Sequence, residues 1–191
     1  MILVTSTLLL AGCADVVVQH GDHPDGPVPS GAAAAPVDST PFAGLASPPD
    51  AAAVAALRVA PLSGGSAISL GGLLGSRATV VAFWETTCAP CAEELPGLQR
   101  IAPPLQAQGV RVILVDVYDS AGDARGYLTA HSVTLPSFYD GDAATHDALR
   151  LLGVPTTAVL GAGGSVVARL EGSADNAGLA AQLASMGFST Q

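Results

Sequence analysis

The fold is decided by the stretch Thr79-Val-Val-Ala-Phe-Trp84, together with Glu85-Thr-Thr-Cys88-Ala-Pro-Cys91 directly after it. The first part is a continuous apolar run rich in β-branched and aromatic residues, which predicts a buried strand. A helical pattern follows from about residue 89 to residue 107, and a second buried strand is predicted over residues 111–117. Strand, helix and strand form a βαβ unit that carries two cysteines where its helix begins.

The patterns around this unit predict an α/β domain over residues 57–191. Two short strands on either side of Ser63-Gly-Gly-Ser66 indicate an N-terminal β-hairpin. After the βαβ unit we expect a helix over residues 122–131, an extended piece over 135–139, a helix over 143–152, antiparallel strands over 154–160 and 165–170, and a helix over 175–186 with Asp175 as its N-cap. The expected architecture is a central mixed sheet of four or five strands with helices on both faces.

The composition excludes some classes of partner. The chain has 191 residues with 7 basic and 16 acidic side chains, and all the basic residues are arginine. A net charge of −9 leaves no basic surface that could neutralise a run of phosphates, so nucleic acid is not an expected partner. No apolar run approaches the roughly 20 residues that a membrane-spanning helix needs. We expect a monomer.

The N-terminal segment resembles a bacterial lipoprotein signal. Residues 1–12 are almost wholly apolar and end in Leu10-Ala-Gly12, directly before Cys13. The resemblance implies that residues 1–12 are a signal peptide and that a lipidated Cys13 anchors the protein to the outer face of the cell membrane. A periplasmic location is the alternative. The match departs from the pattern in having no Lys or Arg before the apolar run. The alternative is an apolar start followed by a chance cysteine.

Residues 13–56 are predicted to be a disordered linker. The segment is rich in proline, alanine and aspartate and contains no arginine. A flexible chain of this length reaches roughly 35 Å. His20-Gly-Asp-His23 lies within it but lacks the further ligands that would fix a metal geometry, so no metal site is expected there.

Cys88 and Cys91 carry the chemistry that the sequence predicts. A sulfur at a helix start lies beside unsatisfied N–H groups and the positive end of the helix dipole, which favour the thiolate. Cys88 is therefore predicted to be the attacking nucleophile. Cys91 lies about one turn further and is predicted to resolve the mixed disulfide. A zinc half-site and a purely structural disulfide are the alternatives.

Phe83-Trp-Glu-Thr-Thr-Cys-Ala-Pro-Cys-Ala-Glu-Glu-Leu-Pro96 resembles the active-site stretch of TlpA/ResA-like thiol-disulfide oxidoreductases, which are extracytoplasmic relatives of thioredoxin. Gly153-Val-Pro-Thr-Thr157 is similar to their second signature, a cis-proline loop. The resemblance implies a thioredoxin-like fold that uses its two cysteines and neither a metal nor an organic cofactor. It also implies that Pro155 is cis and packs against the disulfide, and that a protein substrate binds at Trp84, Pro90 and the backbone of Val154.

Glu94 matches a glutamate of this family that lies beneath the active site, where a carboxylate can carry protons to and from the thiols. Thioredoxin itself has a buried aspartate on the strand, six residues before the first cysteine, and Ala82 stands at that position here. The alternative is that Glu93 and Glu94 are both exposed acids of the first helical turns.

The resemblance implies an exported enzyme that exchanges disulfides with protein substrates and with a membrane redox partner. It favours a reductant, possibly in cytochrome c maturation, over an oxidant of exported proteins. A peroxiredoxin would need Pro at position 81 and Thr at position 85, where Val81 and Glu85 stand. A tethered binding module without catalysis is the remaining alternative.

Overall fold

The computed structural model describes residues 49–172 and 176–191. The elements in chain order are α1 (Ala51–Ala56), β1 (Arg58–Pro61), β2 (Ile68–Ser69), α2 (Leu70–Leu73), β3 (Ala78–Trp84), α3 (Ala89–Ala107), β4 (Val110–Asp116), α4 (Ala121–Ala130), β5 (Ser137–Tyr139), α5 (Ala144–Ala148), β6 (Thr156–Gly161), β7 (Val166–Glu171) and α6 (Asn176–Ser185). In these residues no helix combines the length and apolarity needed to cross a bilayer.

The strands form one mixed sheet in the order β2-β1-β5-β4-β3-β6-β7. β3 is an interior strand, parallel to β4 and antiparallel to β6, and all seven of its residues are buried. The predicted βαβ unit and N-terminal hairpin are both confirmed. The expected count of four or five strands was too low, because β1 pairs with β5 and thereby adds the hairpin to the main sheet.

Each face of the sheet carries its own apolar core. Side chains alternate along β3, so Val80 and Trp84 face one core while Val81 and Phe83 face the other. The first core includes residues of α3, α4 and α6, and the second includes residues of α1 and α2. Helices on both faces are therefore confirmed, and the cysteine pair belongs to the first core.

Helix α1 corrects the predicted boundary between linker and domain. It occupies Ala51–Ala56, within the segment predicted to be linker. The Asp50 side chain caps it by accepting a hydrogen bond from the Ala52 N–H at 3.0 Å, and Val54 is only 1% exposed. Residues 51–56 therefore belong to the folded domain. The rest of the predicted linker, Cys13 and Asp175 lie outside the described residues.

Helix α5 is shorter than predicted. It covers Ala144–Ala148, whereas the sequence pattern predicted a helix as far as residue 152. Arg150 has a φ of 53°, in the left-handed region where a helix cannot continue. The chain thus leaves the helix early and reaches the proline loop through an irregular segment.

We predict that Val54→Ala lowers the free energy of unfolding by about 2 kcal/mol, because two buried methyl groups are lost and a cavity remains. Ala53→Gln, on the exposed side of the same helix, should change it by a few tenths of a kcal/mol at most. Urea unfolding measures both. Equally small effects of the two substitutions would mean that α1 contributes nothing to the stability of the domain.

Candidate active site

The cysteine pair lies where the sequence predicted it, at the start of α3. Cys88 is the N-cap of this helix, its Sγ atom accepts a hydrogen bond from the Cys91 N–H at 3.1 Å, and the two cysteines form a disulfide. Cys88 is 8% exposed and Cys91 is 1% exposed, so Cys88 is the more accessible sulfur. Pro90 is exposed in the first turn, where the missing N–H costs no intrahelical bond.

The proline loop lies beside the cysteine loop because β6 pairs with β3. Phe83 is opposite Thr156 in this antiparallel register, and one residue further along Trp84 and Pro155 are opposite each other. The Val154–Pro155 peptide bond is cis, as the resemblance implied. Pro155 is buried, and Val154 is half-buried. The two sequence signatures are thus brought together at one end of the sheet.

The Trp84 side chain, which the resemblance assigns to substrate binding, is buried in this structure. Only 1% of the residue is exposed, and its ring packs against Tyr127 of α4 with 5.4 Å between the centroids. It lies in the same apolar core as Cys88 and Cys91. Trp84 therefore belongs to the apolar core against which the cysteine loop packs.

Glu94 is buried, unlike its neighbour Glu93. It is 5% exposed, and its Oε1 atom accepts a hydrogen bond from the Thr157 hydroxyl at 3.1 Å. Burial raises the pKa of Glu94 to about 7, and the hydrogen bond from Thr157 opposes part of this rise. This contact joins the cysteine helix to the strand that follows Pro155. A carboxyl that titrates near neutral pH is suited to proton transfer beside the thiols.

Two further acids lie near the site, and the sequence reasoning missed both. Asp119 accepts hydrogen bonds from the Thr86 N–H at 2.6 Å and from the Thr86 hydroxyl at 2.7 Å, which anchors the loop before Cys88. Although burial opposes it, hydrogen bonds from Asp116 and Thr86 hold the pKa of Asp119 below its usual range.

Asp116 is the last residue of β4 and is fully buried. Burial, reinforced by the carboxylates of Asp119 and Glu85, raises its pKa to about 8. The sequence signal that could have identified Asp116 was its position. It is an acid at the carboxyl end of an apolar strand in a parallel pair, and the functional sites of α/β sheets lie at that end.

A cysteine pair at the start of a helix, after the central strand and beside a cis-proline loop, defines the thioredoxin-like class of α/β proteins. The sequence matches the AhpC/TSA family over residues 52–169, more than half of its length. The chain belongs to this family.

Curated relatives include the thiol-disulfide oxidoreductase ResA from Bacillus subtilis, which is 30% identical over 103 residues, covering 54% of this chain and 57% of the relative. ResA from Geobacillus thermodenitrificans is 29% identical over 84 residues, covering 44% of this chain and 48% of that protein. The chain therefore spans about half the length of the curated relatives it matches.

Solved structures of similar proteins have the same fold. A secreted thiol-disulfide isomerase from Corynebacterium glutamicum is 29% identical, with a TM-score of 0.54 over 60% of this chain and 72% of that one. StoA from Bacillus subtilis is 20% identical, with a TM-score of 0.55 over 64% of this chain and 92% of its own.

We predict that Glu94→Gln flattens the pH dependence of thiol–disulfide exchange around pH 7. Ionised Glu94 disfavours a neighbouring thiolate through like charge, so its removal should also lower the thiol pKa. Stopped-flow exchange and alkylation rates measure the two effects. Glu93→Gln is the matched control, because Glu93 is exposed. If the two variants behave alike, Glu94 carries no proton for the thiols.

The same substitution has a stability signature. The pKa of Glu94 is raised from 4.5 to about 7 in the folded protein, so the folded state retains a proton that the unfolded state releases between these values. The free energy of unfolding should consequently fall as pH rises through this range, by about 3 kcal/mol at most. Glu94→Gln removes the part of the decline that Glu94 causes, the part caused by buried Asp116 remains, and Glu93→Gln leaves the whole decline in place.

Proposed function

We propose that this chain catalyses thiol–disulfide exchange with protein substrates outside the cytosolic membrane. The observation that carries the proposal is the disulfide between Cys88 and Cys91 at the N-cap of α3, at the sheet end where the cis-proline loop begins. Cys88 can be attacked and released there without movement of the sheet. The ResA relatives support the same chemistry, and the two cysteines perform it with neither metal nor organic cofactor.

The reaction begins with the reduced pair. The Cys88 thiolate attacks one sulfur of a substrate disulfide, which forms a mixed disulfide and releases the other substrate sulfur as a thiolate that takes up a proton. Cys91 then loses its proton to Glu94 and attacks Cys88 Sγ. The second substrate thiol leaves, and the Cys88–Cys91 disulfide remains. Two electrons have passed to the substrate, and a membrane redox partner with a dithiol returns them.

Substrate binding is assigned to the surface around the proline loop. We propose that the backbone of Val154 pairs with an extended peptide, because Val154 lies two residues before β6 and is half-buried. Pro90 is exposed between the two cysteines in sequence, and Leu152 is 84% exposed two residues before Val154. These side chains offer apolar contacts to a bound polypeptide.

We propose that electrons flow from this protein to its substrate, with the disulfide of an apocytochrome c as one class of target. The family resemblance supports a reductant. Thioredoxin, a reductant, has a potential of about −270 mV, whereas the oxidant DsbA has about −120 mV. Equilibration with glutathione buffers should give a value closer to the first, and a value near the second would make the protein an oxidant.

We predict that Cys91→Ser accumulates mixed disulfides through Cys88, because the resolving thiol is missing, and that Cys88→Ser is inert in the reduction of insulin. Non-reducing gels and mass spectrometry identify the trapped sulfur. Trapping through Cys91 alone would reverse the two roles. A wild-type protein that does not accelerate insulin reduction by dithiothreitol would instead be a binding module.

We further propose that Cys13 is lipidated and tethers the domain to the membrane, on the basis of Leu10-Ala-Gly-Cys13. We predict that Cys13→Ser moves the protein from the membrane fraction to the soluble fraction and leaves insulin reduction unchanged. Fractionation with immunoblotting measures the first effect. Loss of activity in this variant would place Cys13 in the redox chemistry.

A further inference from the structure

Asp116 is a buried acid on the same side of the sheet as the dithiol. It is 0% exposed and stands opposite Trp84 in the parallel register of β3 and β4. Val112 and Leu114 of its strand belong to the core that contains the cysteine pair. Because side chains alternate along a strand, the Asp116 carboxyl points to that same core.

No cation neutralises this carboxyl in the part of the chain that the structure describes. The charged groups that act on it are the carboxylates of Asp119, in the loop after its own strand, and Glu85, in the loop before Cys88. The backbone N–H of Asp119 also faces it, but neither Oδ atom accepts a hydrogen bond of regular geometry from an N–H or hydroxyl group of the described residues. An ionised carboxylate in this position would lack both water and a counter-charge.

Aromatic side chains also lie around Asp116. Tyr139 of β5 stands opposite it in the register on its other side. The Trp84 Nε1 atom has no hydrogen-bond partner, and Tyr127 of α4 covers the Trp84 ring. His131 stacks on Tyr127 with 4.0 Å between the centroids.

We propose that Asp116 is a positioning residue for Cys88. Asp116 acts as a neutral acid and holds the Asp119 carboxylate where that carboxylate anchors Thr86. The connection from Asp116 to the nucleophile runs through Asp119 and the two hydrogen bonds that it accepts from Thr86. Thr86 lies two residues before Cys88. The proposal rests on the proposed function for its effect on catalysis, but not for the protonation of Asp116.

The arrangement limits activity at alkaline pH. When Asp116 loses its proton, it adds one negative charge beside the carboxylates of Asp119 and Glu85, which makes three in total. Repulsion then displaces the Asp119 carboxylate from Thr86 and loosens the loop that presents Cys88. The added charge also opposes the formation of a thiolate in the same core.

The test compares Asp116→Asn with Asp142→Asn. Asparagine keeps the size of the side chain and an N–H donor toward Asp119, but it cannot ionise. Asp116→Asn should retain the exchange rate at pH 7 within about twofold, since a donor remains. The wild type is expected to lose kcat/KM above about pH 8, where Asp116 ionises, and Asp116→Asn should lack this decline. Asp142 is exposed, so Asp142→Asn should keep the wild-type profile.

A spectroscopic readout separates this proposal from the proposed function. Trp84 is the only tryptophan, and it lies on the strand next to Asp116. In the oxidised protein, where neither Cys88 nor Cys91 is free to titrate, Trp84 fluorescence should show a transition near pH 8. Asp116→Asn should abolish this transition, and Asp142→Asn should retain it. A Glu94→Gln background removes the other buried acid from the titration.

Thr86→Val tests the route through the loop. It removes the hydroxyl that donates a hydrogen bond to Asp119, so the decline in kcat/KM at alkaline pH should be smaller in this background. The effects of Thr86→Val and Asp116→Asn on this decline should therefore be non-additive. An unchanged fluorescence transition in Asp116→Asn would overturn the proposal, as would additive effects. If the wild type has no exchange activity but Asp116→Asn abolishes the transition, the proposed function fails and Asp116 is shown to hold the proton.

Discussion

The pairing of β3 with β6 is the constraint on which the site depends. It places the end of the cysteine strand against the start of the proline strand, two segments that are about 70 residues apart in the chain. The contact between Glu94 and Thr157 continues this pairing on the helix side. A shift of one residue in the register would turn Thr157 to the other face of the sheet and break that contact. Catalytic geometry is therefore a property of the sheet as much as of the cysteine loop.

The elements that could be predicted from the sequence are those with strong local signals. β3 is a continuous apolar run, and α3 was predicted with the same bounds that it has in the structure, Ala89–Ala107. Less predictable features depend on contacts distant in sequence. β1 enters the main sheet only because β5 pairs with it, and α1 looks like linker because its six residues are almost all alanine. Its helical state depends on Asp50 and on the burial of Val54.

The same distinction holds within the site. The cysteine pair and Pro155 could be identified from short motifs, since their spacing and neighbours are local properties. Burial is not local, so the sequence left Glu94 open between a proton carrier and a surface acid. The position of the acid pair Asp116 and Asp119 near the site depends on where β4 ends relative to the cysteine loop. No single motif contains both the acid pair and the cysteine loop. Trp84 illustrates the converse, because a residue next to an active-site motif was placed in contact with substrate although it lies in the core.

The position of α1 determines from which side the preceding chain approaches the domain. A Cβ atom on Gly164, in the turn between β6 and β7, would lie 2.8 Å from the Ala51 carbonyl oxygen, so the first turn of α1 is held against that turn. β6 runs from the proline loop to this point over six residues, a length of roughly 17 Å at the usual rise of a strand. Any segment that enters the domain through α1 therefore arrives at the end of β6 remote from Cys88. The first turn of α1 and the cysteine pair therefore lie toward opposite ends of β6, so a substitution in one of these regions reaches the other only through the sheet.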